Sequence, residues 1–75
     1  MKGILEILIN HLCKLYKLGV DEFTLNFSVK EFKDGLIVQG KFRVYSQGSR
    51  VFTMRLDNLG KILDYWDNEV EEPFT

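Results

Sequence analysis

Alternating apolar residues dominate residues 23–56, which read FTLNFSVKEFKDGLIVQGKFRVYSQGSRVFTMRL. A period of two is typical of strands that bury one side, because successive side chains of a strand point to opposite faces of the sheet. Turn residues around Gly35 and Gly48 divide the stretch into three runs. The pattern therefore predicts a three-stranded antiparallel sheet, with strands at about 22–31, 36–46 and 50–56.

The strand register follows from keeping the apolar sets on one face, because a slip of one residue turns a whole set toward water. In the first hairpin this pairs Phe27 with Gly40. In the second hairpin a three-residue loop places Lys41 directly across from Arg55, and a shifted register of the same parity places Arg43 there instead. Because opposed cations cost up to about 1 kcal/mol, the outer face becomes a candidate site for an anionic partner.

Helical patterns flank the predicted sheet. Residues 2–18 repeat leucine at spacings of three and four, which predicts a helix that ends at Gly19. A second helix is predicted at about 58–71, opened by Asp57 or Asn58 as a cap, with Leu59, Ile62, Leu63, Trp66 and Val70 on one face. The expected fold is α+β, a single small α-β-β-β-α domain over residues 1–75, with a three-stranded antiparallel sheet and two helices packed on one face.

Composition excludes several classes of protein. The chain is 45% hydrophobic and 28% charged with a net charge of −1, which is typical of a globular protein. One cysteine and one histidine allow neither an internal disulfide nor a Cys/His metal cluster. The first 18 residues are too polar for a signal peptide or a membrane span. We therefore expect a cytoplasmic protein with no metal, no cofactor and no membrane contact.

Charge is distributed unevenly along the chain. Residues 1–56 carry a formal charge of +4, whereas residues 57–75 carry −5. Such asymmetry indicates two surfaces of opposite sign.

The predicted order of elements resembles that of the double-stranded RNA-binding domain. That family binds phosphates through lysines that open its second helix, and the matching residues 57–61 read DNLGK, with an acid first and one lysine. Because duplex binding depends on those phosphate contacts, the resemblance concerns the layout alone. The layout is also similar to that of small phage-encoded inhibitors, including some anti-CRISPR proteins.

The candidate binding residues lie on the outer face of the predicted sheet. A basic, polar face suits an acidic protein surface, whereas single-stranded nucleic acid needs stacking platforms, and only Tyr45 offers one. The alternative is a solvated face whose long cationic side chains splay apart. The predicted partner-binding residues are Lys30, Lys41, Arg43, Tyr45 and Arg55.

No nucleophile, base and oxyanion donor can be assembled from the chain, so we do not expect an enzyme. The sequence predicts a small non-catalytic protein-interaction module, an adaptor or inhibitor of the kind that phages and mobile elements encode, which binds an acidic protein surface. One alternative is nucleic-acid binding by the same face. Another is a homodimer or larger homo-oligomer through the first helix or the C-terminal tail, with Ile7, His11, Leu18 and Phe74 as contacts.

Overall fold

A computed structural model describes residues 3–19, 21–45 and 48–70. Within these residues, four strands form one antiparallel sheet in the order β1-β2-β3-β4, so each strand pairs with its neighbours in sequence. A single helix packs on one face of this sheet, and no described element covers the other face. The elements are α1 (Ile4–Tyr16), β1 (Phe23–Phe32), β2 (Gly35–Val44), β3 (Gly48–Asp57) and β4 (Ile62–Glu69).

The predicted second helix is wrong, and with it the three-stranded sheet with two helices. Residues 62–69 form β4, which pairs with β3 from Leu56↔Ile62 to Arg50↔Glu69. Aromatic residues favour strands, and β4 carries two of them, Tyr65 and Trp66. The observed α+β fold therefore lacks the helix on which the resemblance to the double-stranded RNA-binding domain depends.

Asp57 closes a hairpin turn and does not cap a helix. Its Oδ1 accepts hydrogen bonds from the backbone N–H groups of Leu59 (2.9 Å) and Lys61 (2.8 Å). Gly60 adopts a φ of 85°, a left-handed conformation that glycine takes at little cost. An aspartate that accepts backbone hydrogen bonds suits a turn as well as a helix start, so the local sequence did not distinguish the two.

The predicted register of the first hairpin is confirmed. Phe27 pairs with Gly40, and the neighbouring apolar residues pair as expected, including Phe23↔Val44. A Cβ atom at Gly40 would collide with the carbonyl oxygen of Asn26 and would lie 2.8 Å from the Cβ of Phe27. Glycine is therefore required where β2 passes Asn26 and Phe27 of β1.

The predicted register of the second hairpin is wrong. Val44 pairs with Gly48, so Lys41 lies opposite Val51, and Arg55 lies opposite Ile37. Gly48, at a φ of 92°, begins β3 and does not sit in the middle of the loop. Both registers keep the same residues on each face, so the period of two could not separate them. The opposed pair of Lys41 and Arg55 does not exist.

The wide apolar surface of α1 is explained by the size of the sheet. One helix covers a four-stranded sheet, so side chains on several of its sides contact the core. Its end comes earlier than predicted: Lys17 adopts the left-handed conformation, and the N–H of Leu18 donates to the carbonyl of Cys13 (3.1 Å). The buried core consists of Leu8, Leu12, Phe23, Val38, Phe42, Val44, Phe52, Met54 and Leu56.

Candidate functional site

We call the surface of the sheet that faces away from α1 the open face. The contacts between β4 and α1 show which side chains of β4 belong to it. The ring centroids of Tyr65 and His11 lie 4.5 Å apart, and Asp67 accepts a hydrogen bond from Tyr16. Both contacts join that side of β4 to α1. Because side chains alternate along a strand, Trp66 points to the open face, where it is 49% exposed.

One end of the open face, the cationic end, is formed by Lys41, Arg43 and the polar side chains around them. Both cations belong to β2, where they lie opposite Val51 and Ser49 of β3. A shallow depression of about 200 Å³ is lined there by Thr24, Asn26, Lys41, Arg43 and Ser49. The sequence correctly placed Lys41 and Arg43 beside each other on this face.

The structure separates the other predicted residues from this end. Arg55 forms an ion pair with Asp64 of β4, with 2.8 Å between Nη1 and Oδ2, so its nearest charge is a carboxylate. Lys30 lies in β1 opposite Ile37. Tyr45 follows the last residue of β2 and is exposed. The predicted cations therefore lie on one face, but they do not form the crowded cluster that the predicted register implied.

The other end of the open face, the apolar end, is formed by Phe32, Ile37, Leu63 and Trp66. A depression of about 200 Å³ is lined by the first three of these residues, together with Asp34 and Arg55. Leu63 is the extra residue at an irregularity of the β3–β4 register, where Arg55 pairs with Asp64 and Leu56 with Ile62. Trp66 lies two residues beyond Asp64 on the same face, opposite Thr53.

The apolar end was missed because the sequence placed Leu63 and Trp66 on the buried face of a helix. The sequence placed Ile37 on the outer side of its predicted strand and left Phe32 outside the predicted strands. Only the pairing of β4 with β3 brings Leu63 and Trp66 to the same face as Ile37. The local sequence carries little signal for a strand, because Tyr65 and Trp66 are both aromatic and Asp67 and Asn68 are both polar, so apolar and polar residues do not alternate.

On the helix side of the sheet, Asp67 is the centre of a polar cluster. Its Oδ1 accepts hydrogen bonds from Arg50, whose Nε and Nη2 both lie 2.8 Å away. Its Oδ2 accepts hydrogen bonds from the hydroxyl groups of Tyr16 and Tyr65. The side chain of Asp67 is only 8% exposed. These bonds join α1, β3 and β4, so we interpret the cluster as a structural clamp.

The cluster shifts the pKa values of its members. Burial opposes ionisation of Asp67, but the hydrogen bonds from Tyr16, Tyr65 and Arg50 outweigh it and hold the pKa of the carboxyl below 3.8. Burial, followed by the hydrogen bond to Asp67, raises the pKa of Tyr16 to about 12. The pKa of Tyr65 is raised by the same causes. Asp67 is therefore the acceptor and both tyrosines remain protonated donors.

The predicted oligomer contacts that the structure describes lie in or just after α1 and are not part of the open face. Ile7 and Leu18 pack against the core, and Phe74 lies outside the described residues. His11 lies against the Tyr65 ring, and its buried Nε2 has no hydrogen-bond partner among the described residues. Ile7 and His11 border a cavity of about 330 Å³ between α1 and the β3–β4 turn. The large aliphatic side chains that α1 does expose are Leu5 and Leu15.

We expect acid to destabilise the protein in two steps. Burial lowers the pKa of His11 below 6.5, partly offset by Asp67, so protonation favours the unfolded state as the pH falls through 6.5. The pKa of Asp67 is below 3.8 in the folded state, so the stability it adds is complete above 3.8 and is lost as the pH falls through its folded value. Urea midpoints measured by circular dichroism from about pH 7.5 to about pH 3 check this expectation.

The variant His11→Phe keeps a ring against Tyr65 but cannot bind a proton. It should flatten the pH dependence between about pH 7 and about pH 5 and leave the acid step below about pH 4 in place. A wild-type midpoint that is constant from about pH 7.5 to about pH 5 would contradict the assignment to His11.

Within the described residues, no group of three His, Cys, Asp or Glu side chains is arranged to hold a metal ion. No helix in that part of the chain has the length and apolar character needed to cross a membrane. Comparison with protein-family models, curated proteins and solved structures found no match to this chain.

Proposed function

We propose that the chain is a non-catalytic protein-interaction module that binds an acidic, partly apolar protein surface through the open face. The observation that carries this proposal is the uneven distribution of side chains on that face. At the apolar end, Lys30 and Arg55 are accompanied by Asp34 and Asp64, whereas the cationic end carries Lys41 and Arg43. Ile37 belongs to the apolar end and Arg43 to the cationic end, and they lie on the same strand. Both ends thus belong to one continuous surface.

The apolar end supplies the area that a partner would remove from water. Phe32 is 54% exposed and Trp66 is 49% exposed, and Leu63 is exposed to a similar degree. Apolar area contributes about 25 cal/mol per Å² when it is buried. Tryptophan is also enriched among the residues that dominate binding energy. Trp66 is therefore the expected anchor of the interface.

The cations determine which partner is accepted. Among the described residues, the open face carries Lys30, Lys41, Arg43 and Arg55. The acids there are Asp64, which pairs with Arg55, and Asp34, which lines the depression of the apolar end. Complementary charge steers encounter and penalises partners with like charge. A partner with carboxylates opposite Lys41 and Arg43 is therefore favoured over a neutral or basic one.

Nucleic acid is the second candidate partner because its phosphates would also suit these cations. Three aromatic residues offer stacking surfaces, which are Phe32, Tyr45 and Trp66. They lie on or next to three different strands, and no two of them are register partners. Single-stranded nucleic acid is bound by successive bases stacking on neighbouring aromatic side chains. The spacing of these three residues therefore favours a protein.

The proposal is tested by reversing the charges of the cationic end. Proteins captured from the native host on the wild-type chain are identified and purified, and their affinities are measured by titration calorimetry. The double variant Lys41→Glu, Arg43→Glu should weaken binding by about 10-fold to 100-fold, because two complementary charges become repulsive. Trp66→Ser should weaken it by at least about 30-fold, the effect of losing an anchor residue.

The matched control is Lys14→Glu, Lys61→Glu, which makes the same change of charge at two exposed residues of α1 and the β3–β4 turn. It should leave the affinity within about twofold of wild type. Equal losses from both double variants would show that only net charge matters. Salt-dependent binding of oligonucleotides that Lys41→Glu, Arg43→Glu abolishes would favour the second candidate.

A further inference from the structure

We infer that the occupant of the open face is an amphipathic helix that carries acidic residues at one end. This inference rests on the proposed function and names the kind of partner. Its apolar side would contact the apolar end, and its acidic end would lie at Lys41 and Arg43.

Backbone hydrogen bonding distinguishes a helix from a strand at this surface. β2 and β3 are each paired on both sides, so their N–H and C=O groups bond within the sheet. A segment that lies flat on the open face cannot form backbone hydrogen bonds with these strands. Its N–H and C=O groups must therefore bond within the segment itself. A helix does so internally, whereas an extended segment there would leave buried groups without partners.

The length of the face matches a short helix. Ile37 and Arg43 are six residues apart on β2, which is about 20 Å at the rise of a strand. A helix of about 13 residues spans the same distance. α1 has 13 residues and covers the opposite face of the same sheet, so a helix of this size is already accommodated once in the fold.

The two ends define the pattern of the partner. Phe32, Ile37 and Leu63 surround one depression, and Trp66 stands beside it, so apolar residues at helical spacing of three and four should pack there. About two to four turns further along, Asp or Glu would reach Lys41 and Arg43. Arg55 borders the apolar depression and forms an ion pair with Asp64.

Other occupants make different demands. An extended peptide would pair with the free edge of β1 or β4 and would show apolar residues at every second position. A second copy of this chain would produce a dimer, and an oligonucleotide would bind with strong dependence on salt. The sequence pattern of the bound peptides, the molecular mass of the protein in solution and the salt dependence of binding distinguish these occupants from a helix.

The test uses an unbiased library of random 16-residue peptides displayed on phage and selected on the full chain. Enriched peptides are synthesised, and their affinities are measured by fluorescence anisotropy for the wild type and for variants. The open-face variants are Leu63→Ser, Trp66→Ser and Lys41→Glu, Arg43→Glu. The matched controls are Leu59→Ser, which alters a leucine 86% exposed in the β3–β4 turn, and Lys14→Glu. Circular dichroism establishes that each variant is folded.

The inference predicts apolar residues at spacings of three and four, an acidic cluster at one end, and helical circular dichroism on binding. Each of the three open-face variants should weaken binding by at least about 10-fold, and the controls should change it less than about twofold. Peptides with period-two patterns that still depend on the open face would overturn the helix and leave the proposed function intact.

Binding that no open-face variant weakens, or a library that yields no binder, would count against both the helix and the proposed function. Two further measurements address the remaining occupants. A dimer by light scattering that Trp66→Ser dissociates would assign the face to a second copy. Salt-dependent binding of a fluorescent single-stranded 12-mer, lost in Lys41→Glu, Arg43→Glu, would assign it to nucleic acid.

Discussion

Replacing Phe42 with alanine is expected to lower the free energy of unfolding by about 3 to 5 kcal/mol. Phe42 is 1% exposed and lies in the middle of the core. Its ring centroid lies 5.6 Å from that of Tyr16, 6.0 Å from that of Phe52 and 6.5 Å from that of Phe23. Removing it opens a cavity between α1 and the two central strands, and a domain of this size has little stability to spare.

Chemical denaturation followed by far-ultraviolet circular dichroism measures this loss. The matched control is Phe32→Ala, which removes the same ring from the open face, where it is 54% exposed. That change should cost less than about 1 kcal/mol. If Phe32→Ala cost as much as Phe42→Ala, Phe32 would be covered in solution and the face would not be open.

Replacing Asp67 with alanine is expected to cost about 2 to 4 kcal/mol, because it leaves three hydrogen-bond donors without their acceptor. The donors are the hydroxyl groups of Tyr16 and Tyr65 and the guanidinium of Arg50. Arg50 is about one-third exposed, and water can recover part of its loss, so the expected cost is below the most severe cases. Urea denaturation of the variant at neutral pH measures the change.

The control for Asp67 lies on the same strand. Asp64 also forms an ion pair, with Arg55, but both side chains are about half exposed. Asp64→Ala should therefore cost less than about 1 kcal/mol. The comparison also tests the fold, because the predicted helix would have placed Asp67 on its solvated side. A negligible cost for Asp67→Ala would argue for that helix and against β4.

The first hairpin could be predicted because its local signals agree. β1 and β2 alternate over most of their length, and the turn at Gly35 joins them with no choice of parity. Their register was correct at Phe27 and Gly40 for that reason. The register of β2 with β3 was not predictable from alternation, because shifts by an even number of residues keep Phe52 and Met54 facing α1.

The fourth strand was not predicted because its buried side is partly polar. Tyr65 and Asp67 face α1, and their partners Tyr16 and Arg50 are distant in sequence. No local pattern shows that an aspartate will be buried by such contacts, so the apolar spacing of Leu59, Ile62 and Leu63 suggested a helix. Because of this error, the sequence did not predict the apolar end of the open face. The cations of β2 were located from the sequence, but the apolar end required the tertiary structure.

The central claim is that the face bearing Trp66 is open in the free protein and covered by the partner. Trp66 is the chain's single tryptophan, so its fluorescence reports on this face alone. Acrylamide should quench it readily in the free protein. Addition of a selected peptide or captured partner should shift the emission to shorter wavelength and protect it from quenching. Emission and quenching that stay unchanged while binding saturates would contradict the claim.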